Sequence, residues 1–170
     1  HGVSNAILPN PMSMDKSVVR TTLIPSLLNV YHYNKKRKVK DISLYEIAKT
    51  YDSEYNETSL ICGLCFGDYL NNGWTKPVKY DFYIVKGIVE NVLDYMGFKN
   101  RYSFEVSDCS DLHPGISANI LLDRKVIGVI GRVHPSILKD EVYVFEMSLN
   151  ALMSNVKPIK YKEAPKYPGI

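Results

Sequence analysis

Two glutamates, two histidines, a cysteine pair and one run of cations are the side chains whose types and spacing suit chemistry. Glu46 and Glu146 each sit in an alternating apolar stretch, where burial would raise a carboxyl pKa toward the range useful for proton transfer. Two carboxylates alone specify no reaction, and structural pairing with an arginine or hydroxyl in a sheet perturbs such groups as well. His113 and His134 each precede a proline, which holds the backbone extended, so locking a turn stands beside acid–base work as a role. A free-standing enzyme acting on a small molecule would use Glu46, Glu146 and one of these histidines. Cys62 and Cys65 form C-x-x-C, but strand positions three apart point to opposite faces, which opposes a shared zinc ion or a disulfide. Lys35-Lys36-Arg37-Lys38-Val39-Lys40 packs five cations into six residues. Such a run either contacts phosphates or answers a helix dipole beside a solvated turn. The sequence holds neither a Gly-x-Ser-x-Gly elbow nor a phosphate-binding glycine loop.

The elements that must position these residues follow from periodicity. Pro25 suits a first helical turn, Thr21 or Thr22 offers a capping hydroxyl, and Leu23, Leu27, Leu28 and Tyr31 recur at helical spacing. The first helix is thus expected to begin near Leu23, with an apolar stripe that either the rest of the chain or a partner must cover. Close to the start of the sequence, the four stripe residues or the surface beside them are the candidate subunit interface. Asp41 to Tyr51 alternates as a strand, with Ile42, Leu44, Glu46 and Ala48 on one side. Leu60 to Phe66 reads as a doubly covered strand, and Gly67 to Lys79 as a loop turning at Asn71-Asn72-Gly73 and anchored by Trp74. Asp81 caps a helix whose stripe runs from Ile84 to Met96 and stops at Gly97. Tyr102 to Val106 is a short strand, His113-Pro114-Gly115 a sharp bend, and Ala118 to Leu122 with Lys125 to Val133 a hairpin split by Asp123-Arg124. Gly128 and Gly131 mark bulges or close backbone approach. His134-Pro135-Ser136 should start a short helix over 137–140, and Val142 to Met147 a strand with Glu146 on the side of Val142 and Val144.

A chain of 170 residues, 45% hydrophobic and 23% charged, is large enough for one domain with its own core. The class predicted is α+β, a mainly antiparallel sheet flanked by helices. Thirteen tyrosines against five phenylalanines suit half-wet sheet faces and interfaces. A net charge of +3 leaves any RNA contact local. No stretch approaches the ~20 apolar residues of a membrane span. Three cysteines, an odd number, fit a reducing compartment, so a soluble cytoplasmic protein is expected. Residues 1–6 lack periodicity and read as cloning remnant, whereas the proline-rich stretch from Lys157 to Ile170 reads as the cut end of a longer chain.

Six segments recur in one order along the chain. They are Asn10-Pro11-x-Ser13 with Arg20-Thr21-x-Leu23-x-Pro25-x-Leu27-Leu28, Leu44-Tyr45-Glu46-Ile47, Asp81-Phe82 with Lys86-Gly87, His113-Pro114-Gly115 with Ser117-Ala118, Ile127-Gly128 with His134-Pro135, and Tyr143-Val144-Phe145-Glu146. Together they resemble the synthetase-like core of the bacterial phenylalanyl-tRNA synthetase beta subunit, a degenerate copy of a class II aminoacyl-tRNA synthetase core. The resemblance implies a non-catalytic scaffold in a heterotetramer of two alpha and two beta subunits. There the alpha subunit binds ATP with Mg2+, phenylalanine and the acceptor end of tRNA(Phe), and no cofactor is expected in this stretch. In that setting Lys35, Lys36, Arg37 and Lys38 are the candidate tRNA contact. The motif arginine that grips ATP in active members has no counterpart beside Glu46, and Arg20 stands in a different context. Ile116 occupies a position where the family often carries arginine. The family's magnesium-linked acidic cluster would precede residue 1 and its anticodon-binding module would follow residue 170.

Overall fold

A computed structural model describes residues 22–51 and 54–158. The described elements are α1 (Ile24–Lys36), β1 (Ile42–Tyr51), β2 (Glu57–Phe66), β3 (Asp68–Leu70), β4 (Val78–Lys79), α2 (Phe82–Tyr95), β5 (Tyr102–Val106), β6 (Leu112–Leu122), β7 (Lys125–Val133), β8 (Tyr143–Ser148) and α3 (Leu149–Asn155). Six strands form one antiparallel sheet in the order β1-β2-β8-β7-β6-β5, and β3 pairs with β4 apart from it. The α+β class expected from the sequence is what the chain adopts. Asn10, Pro11, Ser13, Arg20, Thr21, the first six residues and most of the proline-rich tail lie outside the described residues.

Period-two alternation along β2 and β8 sends side chains to two separate cores. On one face Leu60, Cys62, Leu64, Val142 and Val144 meet Leu23, Ile24, Leu27, Leu28 and Tyr31 of α1. On the other, Cys65, Tyr143, Phe145 and Met147 meet Val85, Val89 and Leu93 of α2 and Leu152 of α3. The stripe named as a candidate interface, Leu23, Leu27, Leu28 and Tyr31, is therefore core: every member is at most 8% exposed within this chain alone. The sheet presents enough apolar surface to cover the helix without a partner, which corrects the interface assignment for those four residues.

Local signals explain the boundaries. Ile24 donates its amide to the Thr22 hydroxyl at 3.2 Å, and Pro25 falls in the first turn of α1. The carboxylate of Asp81 accepts from the Ile84 amide at 2.8 Å to cap α2. At its other end Gly97 takes φ +86° while Phe98 donates to the Leu93 carbonyl at 2.9 Å, the paired closure that satisfies the last carbonyls. Asp123 and Arg124 adopt φ 48° and 67°, the two left-handed residues a two-residue hairpin demands. Gly128 lies where a Cβ would meet the Glu146 carbonyl oxygen at 2.1 Å.

Four expectations are corrected. The Gly67 to Lys79 loop contains the β3–β4 hairpin, and Trp74 anchors nothing, being 91% exposed. His113-Pro114-Gly115 stays within β6, where the register with β7 slips between Leu112 and Ser117, so the proline makes an irregularity and not a bend between strands. No helix forms over 137–140: residues 135–137 make a turn and 139–140 a bend, because after Ile137 and Leu138 both donate to the His134 carbonyl no further helical bond follows. Finally, α3 was not anticipated: Ser148, the last residue of β8, caps it by accepting from the Ala151 amide at 3.2 Å.

Candidate functional site

The register places Glu46 opposite Cys62 and Cys62 opposite Glu146, so the two carboxylates and one thiol share a row across β1, β2 and β8. At strand spacing the two glutamate backbones stand about 10 Å apart. The row lies beneath the start of α1, and both acids engage it. Glu146 Oε2 accepts from the Thr22 hydroxyl at 2.5 Å and from the Leu23 amide at 3.2 Å. Ser26 donates its hydroxyl to Glu46 at 3.2 Å. A carboxylate at a helix N-terminus satisfies amides that have no intrahelical partner and complements the helix dipole.

Glu146 is 1% exposed, and its second oxygen, Oε1, has no partner among the described residues. Burial pushes its pKa up to about 7, against the opposing pull of Thr22 and the Leu23 and Ile24 amides. Cys62, between the two acids, is pushed up to about 12 by burial and then by Glu146 and Glu46. Cys65 faces the other core and is pushed up to about 11, chiefly by burial. Both thiols stay protonated near neutral pH and are poor nucleophiles. The C-x-x-C pair is split between the two faces, as its spacing on a strand requires.

Neither histidine joins this row. His134 follows the end of β7, five residues beyond the Val129 that pairs with Glu146, or roughly 16 Å along the strand. Its Nδ1 accepts from the Ser136 amide at 3.1 Å and contacts the Ser136 hydroxyl at 2.6 Å. His113 Nδ1 likewise accepts from the Gly115 amide at 3.0 Å. Each ring secures its own irregular backbone. Near His134 lies Asp111, an acid the sequence reading missed because no periodicity marks the segment that holds it; it is 5% exposed, and burial raises its pKa against the pull of His134. The constellation a small-molecule enzyme would need, Glu46 and Glu146 with a histidine in one pocket, is not assembled.

The cation run closes α1 at the opposite end of that helix. Lys35 pairs with Asp140 at 3.4 Å and stands 4.3 Å from the Phe66 ring centre, while the Arg37 guanidinium covers Tyr33 at 3.5 Å. Asp140 also accepts from the Tyr31 hydroxyl, which holds its carboxyl below the usual range. Lys36, Arg37 and Lys38 have no ion pair among the described residues. Beside this end opens a cleft of about 450 Å³, with Lys40, Lys79 and Lys139 among its lining residues.

Among the described residues no group of three or more His, Cys, Asp or Glu could take a metal ion, and Glu146 and Glu46 both hydrogen-bond to the start of α1. No described helix is long and apolar enough to cross a membrane.

Residues 3–149 match the family described as phenylalanyl tRNA synthetase beta chain CLM domain. The chain is 39% identical over 179 residues to the phenylalanine–tRNA ligase beta subunit of Bacillus subtilis (strain 168), covering 98% of this chain and 22% of that protein. It is 36% identical over 171 residues to the subunit of the same name from Geobacillus kaustophilus (strain HTA426), covering 94% of this chain and 21% of the relative. The corresponding Staphylococcus aureus subunit is 37% identical over 171 residues. The chain spans about a fifth of the length of the curated relatives it matches.

Proposed function

This chain belongs to the phenylalanyl-tRNA synthetase beta-chain family, and on that premise we propose that it is a non-catalytic scaffold domain of phenylalanine–tRNA ligase. The observation that carries the reading is the use of Glu46 and Glu146. The two best-placed acids for chemistry hold the first turn of α1 to the sheet, Glu146 through Thr22 and the Leu23 amide and Glu46 through Ser26. A fold that commits these two acids to holding a helix supports positioning and not group transfer.

In this reading the domain works in the cytoplasm, in a tetramer of two alpha and two beta subunits. The alpha subunit charges tRNA(Phe) with phenylalanine using ATP and Mg2+, while Lys36, Arg37 and Lys38, with Lys35 partly drawn off by Asp140, face the tRNA. The surface offered to the alpha subunit is not the α1 stripe but the neighbouring edge of the sheet. There β1, the edge strand of the sheet among the described residues, directs Tyr45, Ile47 and Tyr51 outward with exposures of 74%, 54% and 56%. The test is co-purification of tagged alpha subunit with the full-length beta chain. Tyr45→Lys with Ile47→Lys should abolish capture without lowering the melting temperature of the beta chain. Undiminished capture removes the β1 edge from the interface, and failure of the unaltered chain to bind alpha removes the scaffold reading.

A further inference from the structure

We propose that the end of the sheet where α1 finishes is an RNA-binding surface, in which Lys40, Lys79 and Lys139 line a phosphate-accepting cleft continuous with Lys36, Arg37 and Lys38. That the RNA is a tRNA rests on the ligase reading above; that the surface suits RNA rests on its own charge and shape. The sequence displays only the run ending at Lys40. Folding adds Lys79 from β4 and Lys139 from the turn before β8, which meet Lys40 around the same cleft of about 450 Å³.

The cleft is lined by three lysines and four carboxylates, and ion pairing to neighbouring cations leaves the lysines in slight excess. Of its carboxylates, Asp140 is neutralised by Lys35, and Glu141 faces Arg132 at 3.6 Å. Asp41 and Asp68 remain, the first accepting from the Asp68 amide at 2.7 Å and the second from the Asn71 amide group at 3.2 Å. Against these two stand Lys40, Lys79 and Lys139 in the lining, with Lys36, Arg37 and Lys38 at the end of α1 and in the turn after it, none of the six with an ion pair among the described residues. Unpaired cations grouped around a groove gain from neutralising successive phosphates, with release of counterions.

The β3–β4 hairpin supplies what an acidic protein would not need. Its base, Asp68 and Lys79, forms one wall of the cleft, and its tip carries Trp74, 91% exposed. The tip is pinned, since Asn72 Oδ1 accepts from the Trp74 amide at 3.2 Å and from the Thr75 amide and hydroxyl at 3.1 Å each. An exposed indole at the tip of the hairpin whose base walls the cleft is suited to stacking on an unpaired base while the cleft takes the backbone.

The experiment uses full-length beta chain assembled with alpha and, as probe, transcribed tRNA(Phe), with filter binding measured across a salt series. The triple change Lys40→Gln, Lys79→Gln, Lys139→Gln should weaken binding at least about tenfold and flatten the dependence of log affinity on log salt by about two, given a slope near 0.7–0.9 per phosphate. Trp74→Ala should weaken binding with no change in that slope. Both should raise KM for tRNA while leaving kcat and phenylalanine-dependent pyrophosphate exchange as they were. Unchanged affinity and slope in both variants overturn the proposal, as does a loss of alpha assembly on sedimentation, which would make this a protein interface. If the unaltered assembly charges no tRNA, the ligase reading falls, and the same binding comparison still decides whether the surface takes RNA.

Discussion

Glu146 accepts the Thr22 hydroxyl at 2.5 Å across 124 positions of sequence, tying the start of α1 to the interior strand β8. The acid is buried, and burial pushes its pKa up to about 7 from the ordinary glutamate value of 4.5. The sign follows from proton binding. Between those two values the folded state holds a proton that the unfolded state has released, so stability is greatest below the lower value and falls as pH rises toward 7. The loss approaches about 3 kcal/mol at about 1.4 kcal/mol per pH unit. Denaturant melts across this window should show the decline, and Glu146→Gln, which keeps the acceptor oxygen, should flatten it.

Leu27 is 1% exposed beneath β1 and β2, so Leu27→Ala should cost about 2–5 kcal/mol, and Leu27→Asp should prevent folding. Circular dichroism checks this. A Leu27→Asp chain that melts normally and loses only alpha binding would return the stripe to the interface.

Gly128→Ala should be among the costlier small changes. Its Cβ would stand 2.1 Å from the Glu146 carbonyl oxygen and 2.9 Å from Met147 Cα, both backbone atoms that cannot rotate away. A loss of about 2–3 kcal/mol in denaturant unfolding is expected.

Cys62 and Cys65, with pKa values pushed up to about 12 and about 11, should resist iodoacetamide near neutral pH until the chain unfolds, and mild oxidation should not join them. Mass spectrometry of native and urea-treated chain measures both outcomes. Rapid native labelling of either thiol would contradict the two-core packing.

Where signals were local, the sequence was legible. Asp81, Gly97 and the Asp123-Arg124 turn carry their own geometry, and alternation around Glu46 and Glu146 placed both on the face they occupy. It did not reveal what covers that face. A helical stripe looks the same whether a sheet of its own chain or another subunit buries it, which is why Leu23, Leu27, Leu28 and Tyr31 read as an interface. Nor could it show that Lys79 and Lys139 meet Lys40, since that contact depends on strand order. The brief α3 escaped because seven residues span barely two turns, too few for periodicity to register.

The most direct test of the scaffold account is phenylalanine-dependent ATP–pyrophosphate exchange, measured on residues 1–170 alone and on full-length beta chain assembled with alpha. The account predicts background exchange for the chain alone and exchange for the assembly. Exchange by the isolated chain that scales with phenylalanine would contradict it.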